Sequence, residues 1–244
     1  PRAEETDQKA QYPQESLDPL KRGGLWGLRV SKEHGGLGED MLTTSLIIEE
    51  LSKKCASTSM CYKMHLEAAE IISRIPTPYQ VEHFVKPMAR GEVFTTIAGG
   101  ESQGESDNWN PTQTASHVDQ VAGGYQINNV RKSYVTSAGK ATHYQFACRV
   151  GADTPQSDRS ALFVERDNIE WELVEPWNGL GMRGNNSSPI RFNGFVPEEN
   201  RLGAEHTLQR DTGAFNRPVV TLTYAAAYLG IASGAYELAC QEIS

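Results

Sequence analysis

The chain of 244 residues carries 23 Lys plus Arg against 31 Asp plus Glu, a net charge of −8. A chain this long buries a full core as one large domain or two small ones, and its acidic balance argues against nonspecific affinity for nucleic acid or anionic membranes. No run approaches the ~18 consecutive apolar residues of a spanning helix, and the charged first residues lack a signal peptide's apolar segment, so an intracellular protein with no membrane span is expected.

The first third reads as helix. Asp40 is placed to cap a helix whose apolar residues Leu42, Leu46, Ile47 and Leu51 recur at three-to-five spacing. Ser57 or Thr58 is placed to cap a second, through Met60, Met64, Ala68 and Ile72. Thr77-Pro78-Tyr79-Gln80 sets a cap, a first-turn proline and a capping-box partner in order, and Gly91 ends that run after Arg90. From Val93 the period changes to two. Val93 to Ala98, Gln113 to Val121 and Tyr125 to Val130 read as strands, the last two joined by a Gly123-Gly124 hairpin turn. Tyr144, Phe146, Cys148 and Val150 alternate on one face; Ala161 to Val164, Trp171 to Val174 and Ile190 to Val196 complete a barrel or sandwich of seven or eight strands. From about Arg217 helix returns through Val219, Leu222, Ala226, Leu229 and Leu238, an apolar surface with no expected partner within the chain.

The polar and glycine motifs give little on their own. Gly179-x-Gly181-x-x-Gly184 has the spelling of a dinucleotide-binding loop, but that loop needs a buried strand before it and a helix N-terminus after it. Glu170 to Glu175 alternates like a half-exposed strand and Asn185 to Pro189 is turn chemistry, so the glycines read as a turn between strands. Cys55, Cys61, Cys148 and Cys240 show neither metal spacing nor a disulfide framework, so no metal site is expected. Cys61 and His65 share a helix face and read as a packed thiol beside a surface histidine; Glu49-Glu50 are ordinary helix residues.

Several local patterns resemble the acyl-CoA dehydrogenase family over nearly the whole chain. Gly24-Leu25-Trp26-Gly27-Leu28 and Glu33-His34-Gly35-Gly36-Leu37-Gly38 look like the family's N-terminal stretch, whose register implies a first helix before Pro1. Lys132-Ser133-Tyr134-Val135-Thr136-Ser137 resembles the "K-x-W-I-T-N" segment that meets the flavin ring. Gly179 to Gly184, with Phe192, Val196-Pro197, Asn200 and Leu202-Gly203, resembles the barrel-closing signature, and Arg217-Pro218-Val219-Val220 with Leu229-Gly230-Ile231-Ala232 the start of the C-terminal bundle. The resemblance implies an α+β multidomain chain: an N-terminal α-helical domain over 1–92, a middle antiparallel β-barrel over 93–203, and the start of a C-terminal helical bundle over 204–244.

It also implies FAD, held by the backbone of Ile97, Ala98, Gly99 and Gly100 and by Ser106, Tyr134, Val135 and Thr136. Thr136 would donate to the ring nitrogen that receives hydride, Tyr134 would replace a commoner tryptophan as side wall, and Ser106 and Arg217 would hold the acyl substrate. The family's "T-E-P-G-A-G-S-D" stands here as Gly100-Glu101-Ser102-Gln103-Gly104-Glu105-Ser106-Asp107, which removes a hydroxyl at Gly100 and adds a carboxylate at Glu105. Where some relatives carry the catalytic base, this chain has Asn216, and an amide abstracts no proton, so the base is expected beyond Ser244. The reaction implied is α,β-dehydrogenation of an acyl thioester on CoA or a carrier protein, with an electron-transfer flavoprotein or similar acceptor, in a cytoplasmic (mitochondrial matrix, if eukaryotic) homodimer or homotetramer. A flavin monooxygenase on the same fold and a non-catalytic binding member are the alternatives.

Overall fold

The structure, a computed structural model, describes residues 2–101 and 114–243, so Ser106 and Glu105 lie outside the described residues. Helices α1 (Arg2–Gln8), α2 (Gln14–Arg22), α3 (Met41–Lys54) and α4 (Ala56–Arg74) come first. Asp40 caps α3 as expected, its side chain accepting from the Thr43 N–H at 2.8 Å. The Thr77–Gln80 capping box forms in both directions, at 3.3 and 3.1 Å. It opens α5 (Pro78–Gln80), which runs through a π turn at Val81–Val85 into α6 (Lys86–Ala89).

Three expectations about these helices fail for identifiable reasons. Neither Ser57 nor Thr58 caps α4; Cys55 holds that position without a side-chain bond, and the Ser57 hydroxyl instead accepts from the Gly184 N–H at 3.2 Å. On α3 it is Thr44, Ile48 and Ser52 that are buried, while Leu42 and Leu46 are 67% and 53% exposed. The cause is the partner helix, α7 (Leu208–Ile243), which packs on α3 and α4 and so corrects the reading that it lacks a partner within the chain. A Cβ on Gly230 or Gly234 would sit 2.3 Å from Glu49 O or 2.5 Å from Lys53 O; backbones that close admit only small side chains between them. The Thr223 hydroxyl also reaches Glu67 Oε1 at 2.5 Å. By length and composition α7 is apolar enough to cross a membrane, unlike the expectation from consecutive apolar residues, yet one side of it is committed to α3 and α4.

His65, expected at the surface, is fully buried on α4. Its Nδ1 accepts the Thr95 N–H at 3.1 Å, which leaves Nε2 as the protonated nitrogen, donating to Trp26 O at 2.9 Å. Burial pulls its pKa down to about 4, so the ring is neutral at pH 7.

Among the described residues eight strands follow: β1 (Thr95–Ala98), β2 (His117–Val121), β3 (Gly124–Lys132), β4 (His143–Val150), β5 (Ser160–Glu165), β6 (Glu170–Leu173), β7 (Ile190–Pro197) and β8 (Arg201–Leu202). Their order is β6-β7-β3-β2-β4-β5-β8, with β1 beside β4. The sheet is mostly antiparallel, as expected, with two parallel pairings, β1 and β2 each beside β4. Parallel neighbours need a long crossover, and the β2–β3 hairpin supplies it between β1 and β4. The two halves of the sheet face each other across aromatic side chains: Phe192 of β7 meets Tyr144 and Phe146 of β4 at ring distances of 5.0 and 5.6 Å. On β4 the intervening His143, Gln145 and Ala147 are buried as well, because the strand's other face turns toward the helices.

Candidate functional site

The flavin segments expected from sequence are brought together by two backbone-anchored bonds. The Ser133 N–H donates to Gly100 O at 2.8 Å, and the Thr96 hydroxyl donates to Thr136 O at 2.8 Å. These bonds lay residues 133–136 along the end of β1. Strand β1 pairs only with β4, so the backbone of Ile97, Ala98, Gly99 and Gly100 keeps one edge outside the sheet's strand pairing among the described residues. Within that frame Tyr134 stands 64% exposed, in a left-handed backbone turn with φ of 55°. Thr136 is buried, its hydroxyl 3.0 Å from that of Ser187. Of two paired hydroxyls one donates within the pair, and the other retains a proton to give away. Val135 is different: its side chain is in the core and its N–H is committed to Ser188 O at 3.2 Å.

The glycine motif that opens as a false phosphate loop explains the seat of this segment. After Gly184 the chain turns back through Asn185, Asn186, Ser187 and Ser188. It accepts the Ser137 N–H on Asn185 O at 3.0 Å and the Ala138 N–H on Asn186 O at 3.1 Å. Gly184 itself is wedged against the N-terminal helices, where a Cβ would lie 2.4 Å from Thr6 and 2.5 Å from Gln11 O. Tyr12, from the same region, donates to Ser137 Oγ at 2.9 Å. Sequence reasoning missed Ser187 and Tyr12. The Asn-Asn-Ser-Ser cluster signalled a turn but not what the turn holds, and a single tyrosine between helices carried no signal.

A buried ion pair anchors the other side. Lys132, fully buried, donates to Glu101, to Ser116 Oγ at 2.8 Å and to Ala147 O at 2.6 Å, which uses all three ammonium protons. Glu101 also accepts from the Ala115 and Ser116 N–H groups at 2.7 and 3.0 Å. Burial pushes the Glu101 carboxyl upward, but Lys132 beside it outweighs burial and holds it below the usual carboxylate range. Burial pulls Lys132 below the ordinary lysine value, with Glu101 opposing. The pair therefore ties Gly100-Glu101 to the start of β2 and the end of β3.

Ser106 cannot be placed, being outside the described residues. Arg217, on α7, is exposed, while the neighbouring Asn216 has a buried Oδ1 with no hydrogen-bond partner. An exposed ring, a proton-bearing hydroxyl pair and an unpaired strand edge suit a planar group with acceptor atoms along one side. These residues fit a flavin. Among the described residues no cluster of His, Cys, Asp and Glu could hold a metal ion.

Residues 1–92 match the model of the acyl-CoA dehydrogenase N-terminal domain. The short-chain-specific acyl-CoA dehydrogenase of Clostridium acetobutylicum is 27% identical over 97% of this chain and 62% of its own length. The dibenzothiophene monooxygenase of Rhodococcus qingshengii is also 27% identical, over 91% of this chain and 54% of its own. The chain thus spans less than two thirds of the length of these curated relatives. The butyryl-CoA dehydrogenase of Megasphaera elsdenii shares the fold, with a TM-score of 0.84 at 24% identity over 95% of this chain and 61% of that one. The family model over residues 1–92, the relatives and the shared fold all point to the acyl-CoA dehydrogenase family.

Proposed function

We propose that the full-length protein is an FAD-dependent oxidoreductase that removes hydrogen from Cα and Cβ of an acyl thioester. The observation that carries this reading is the meeting of Gly99-Gly100 with Tyr134 and Thr136, two segments over thirty residues apart held by the Ser133–Gly100 and Thr96–Thr136 bonds. Backbone N–H groups on the edge of β1 away from β4 and the Thr136–Ser187 hydroxyls would donate to the polar edge of the ring, and Tyr134 would cover its side. When bound, the flavin supplies the acceptor for the two electrons leaving the β-carbon. Asn216 takes no proton, so we place the carboxylate base after Ser244, with Arg217 and Ser106 toward the acyl tail. An electron-transfer flavoprotein as acceptor, a homodimer or homotetramer and a cytoplasmic location complete the reading.

The second reading is a flavin monooxygenase, which needs no carboxylate base. Asn216, Gly100 and the likeness to a dibenzothiophene monooxygenase favour it. Anaerobic titration of the yellow full-length protein with an acyl-CoA panel separates the two. Bleaching by an acyl-CoA supports dehydrogenation; bleaching by an external reductase alone assigns the monooxygenase; a colourless protein leaves a non-catalytic member.

A further inference from the structure

A second cleft, of about 540 Å³, opens between the α5–α6 helical run and the outer face of the β-sheet. It lies away from the segments described above: Val93 lines it, whereas Gly99 belongs to the candidate flavin site six residues on, roughly 20 Å along an extended chain. Its walls are mixed: Phe84, Ile169, Phe195 and Val196 with the stacked Tyr79–His83 pair, whose rings are 3.9 Å apart, form the apolar and aromatic part, and Glu92, His143, Glu165 and Asn168 are among the polar groups.

The polar atoms in this cleft have one chemical character. Asn200 is only 6% exposed, and its Nδ2 donates to Phe163 O at 2.9 Å, which fixes the amide's orientation because a carbonyl can only accept. Its Oδ1 is without a partner among the described residues and closed off from solvent, so a ligand in the open cleft does not touch it. His143 shows the same polarity. The Thr142 hydroxyl donates its single proton to Phe94 O at 3.0 Å, so the 3.0 Å contact between His143 Nδ1 and Thr142 Oγ1 makes Nδ1 the donor and Nε2 an acceptor. His83 likewise donates through Nδ1 to Tyr79 O at 2.8 Å, and Glu165 stands at the rim as a carboxylate. Tyr79 adds a hydroxyl that serves either way, and the Asn168 amide already donates to Glu165.

We propose that this cleft is a binding site for an organic ammonium ion carried on a flat apolar body, the ammonium meeting His143 Nε2 and the carboxylate of its cross-strand neighbour Glu165 while the body lies against Phe195 and the Tyr79–His83 stack. An anion would find no charged donor among these side chains and would face Glu165. A neutral apolar ligand would offer His143 Nε2 no donor.

Tyramine serves as probe, with 4-hydroxyphenylacetate as its anionic counterpart, in saturation-transfer NMR on the full chain. Tyramine is expected to bind saturably, without displacement by FAD, and the anion not to compete. The decisive variant is Glu165→Gln at the rim, which should weaken tyramine about tenfold. Equal binding of cation and anion, an unchanged affinity in Glu165→Gln, displacement by FAD, or no saturation by tyramine would each overturn the proposal.

Discussion

Replacing Lys132 by methionine keeps the apolar length of the side chain and removes the ammonium that meets Glu101, Ser116 Oγ and Ala147 O. Glu101 then remains as a carboxylate largely withdrawn from water, with the Ser116 hydroxyl and the Ala115 and Ser116 N–H groups as its hydrogen-bond donors among the described residues and the Arg159 charge farther off. Removing one partner of a buried ion pair costs about 3–5 kcal/mol, because the cost is that of the stranded charge rather than of the lost attraction. At roughly 2–4 °C per kcal/mol for a chain of this size, Tm should fall by about 6–20 °C. Urea unfolding followed by circular dichroism measures the change directly, provided the slope m is unaltered. Glu101→Gln removes the other charge and strands the ammonium. The double variant Lys132→Met/Glu101→Gln strands neither, since the amide oxygen still accepts from Ser116, and it should recover about 2 kcal/mol relative to the sum of the singles. A Lys132→Met variant within about 1 kcal/mol of the parent, or a double variant as costly as the sum, would falsify the argument that the charges depend on each other. The carboxyl's depressed pKa adds a pH signature. Its stabilisation is present above the unfolded value near ~4.3 and is lost as pH falls through the folded value, so Glu101→Gln should flatten the stability curve only in that acid range.

Other consequences can be measured independently. His65 holds a pKa of about 4 against an ordinary ~6.5, so between those values the unfolded chain takes up a proton that the folded one refuses. Stability should therefore be complete above about pH 6.5 and decline toward pH 4, and a folded His65→Gln variant with an unchanged slope over that window would contradict the buried neutral ring. Gly234→Ala forces a Cβ to within 2.5 Å of Lys53 O and should cost about 1–3 kcal/mol as α7 lifts from α3; a neutral result in thermal melts would mean that the two helices are not in close contact. Thr136→Val keeps shape and removes one hydroxyl, so a loss of about 0.5–1.5 kcal/mol in flavin affinity with a shifted flavin absorbance band is expected. An unchanged spectrum in the folded variant would remove Thr136 from the site. Asp40→Ala should cost about 0.5–2 kcal/mol through the lost α3 cap, read from the same melts.

Local chemistry made most elements and several caps legible in the sequence. The Asp40 cap and the Thr77–Gln80 box depend on residues within a few positions of one another and are where the sequence places them, whereas the boundaries shift: Gly124 belongs to β3 and the turn is Ala122-Gly123, β2 starts at His117 and α7 already at Leu208. The segments that the resemblance implies for a flavin were legible for another reason: Lys132 to Ser137 resembles the family's pattern, although Gly100 to Asp107 departs from it, and the fold brings Ser133 and Thr136 against Gly100 and Thr96. What the sequence did not decide was which face of a helix meets a partner. Periodicity put Leu42 and Leu46 inward, yet the glycines of α7, nearly two hundred residues away, set the close face of α3 along Glu49, Ser52 and Lys53. It could not tell that Ser57 serves Gly184 rather than its own helix, that His65 is enclosed, or that Lys132 spends its charge on Glu101. Nor did it say that the Asn185–Ser188 turn is the seat of Thr136. Those outcomes rest on pairings across the chain, where backbone approach and the desolvation of buried charge set the energy, and such pairings exist only once the tertiary structure has closed around them.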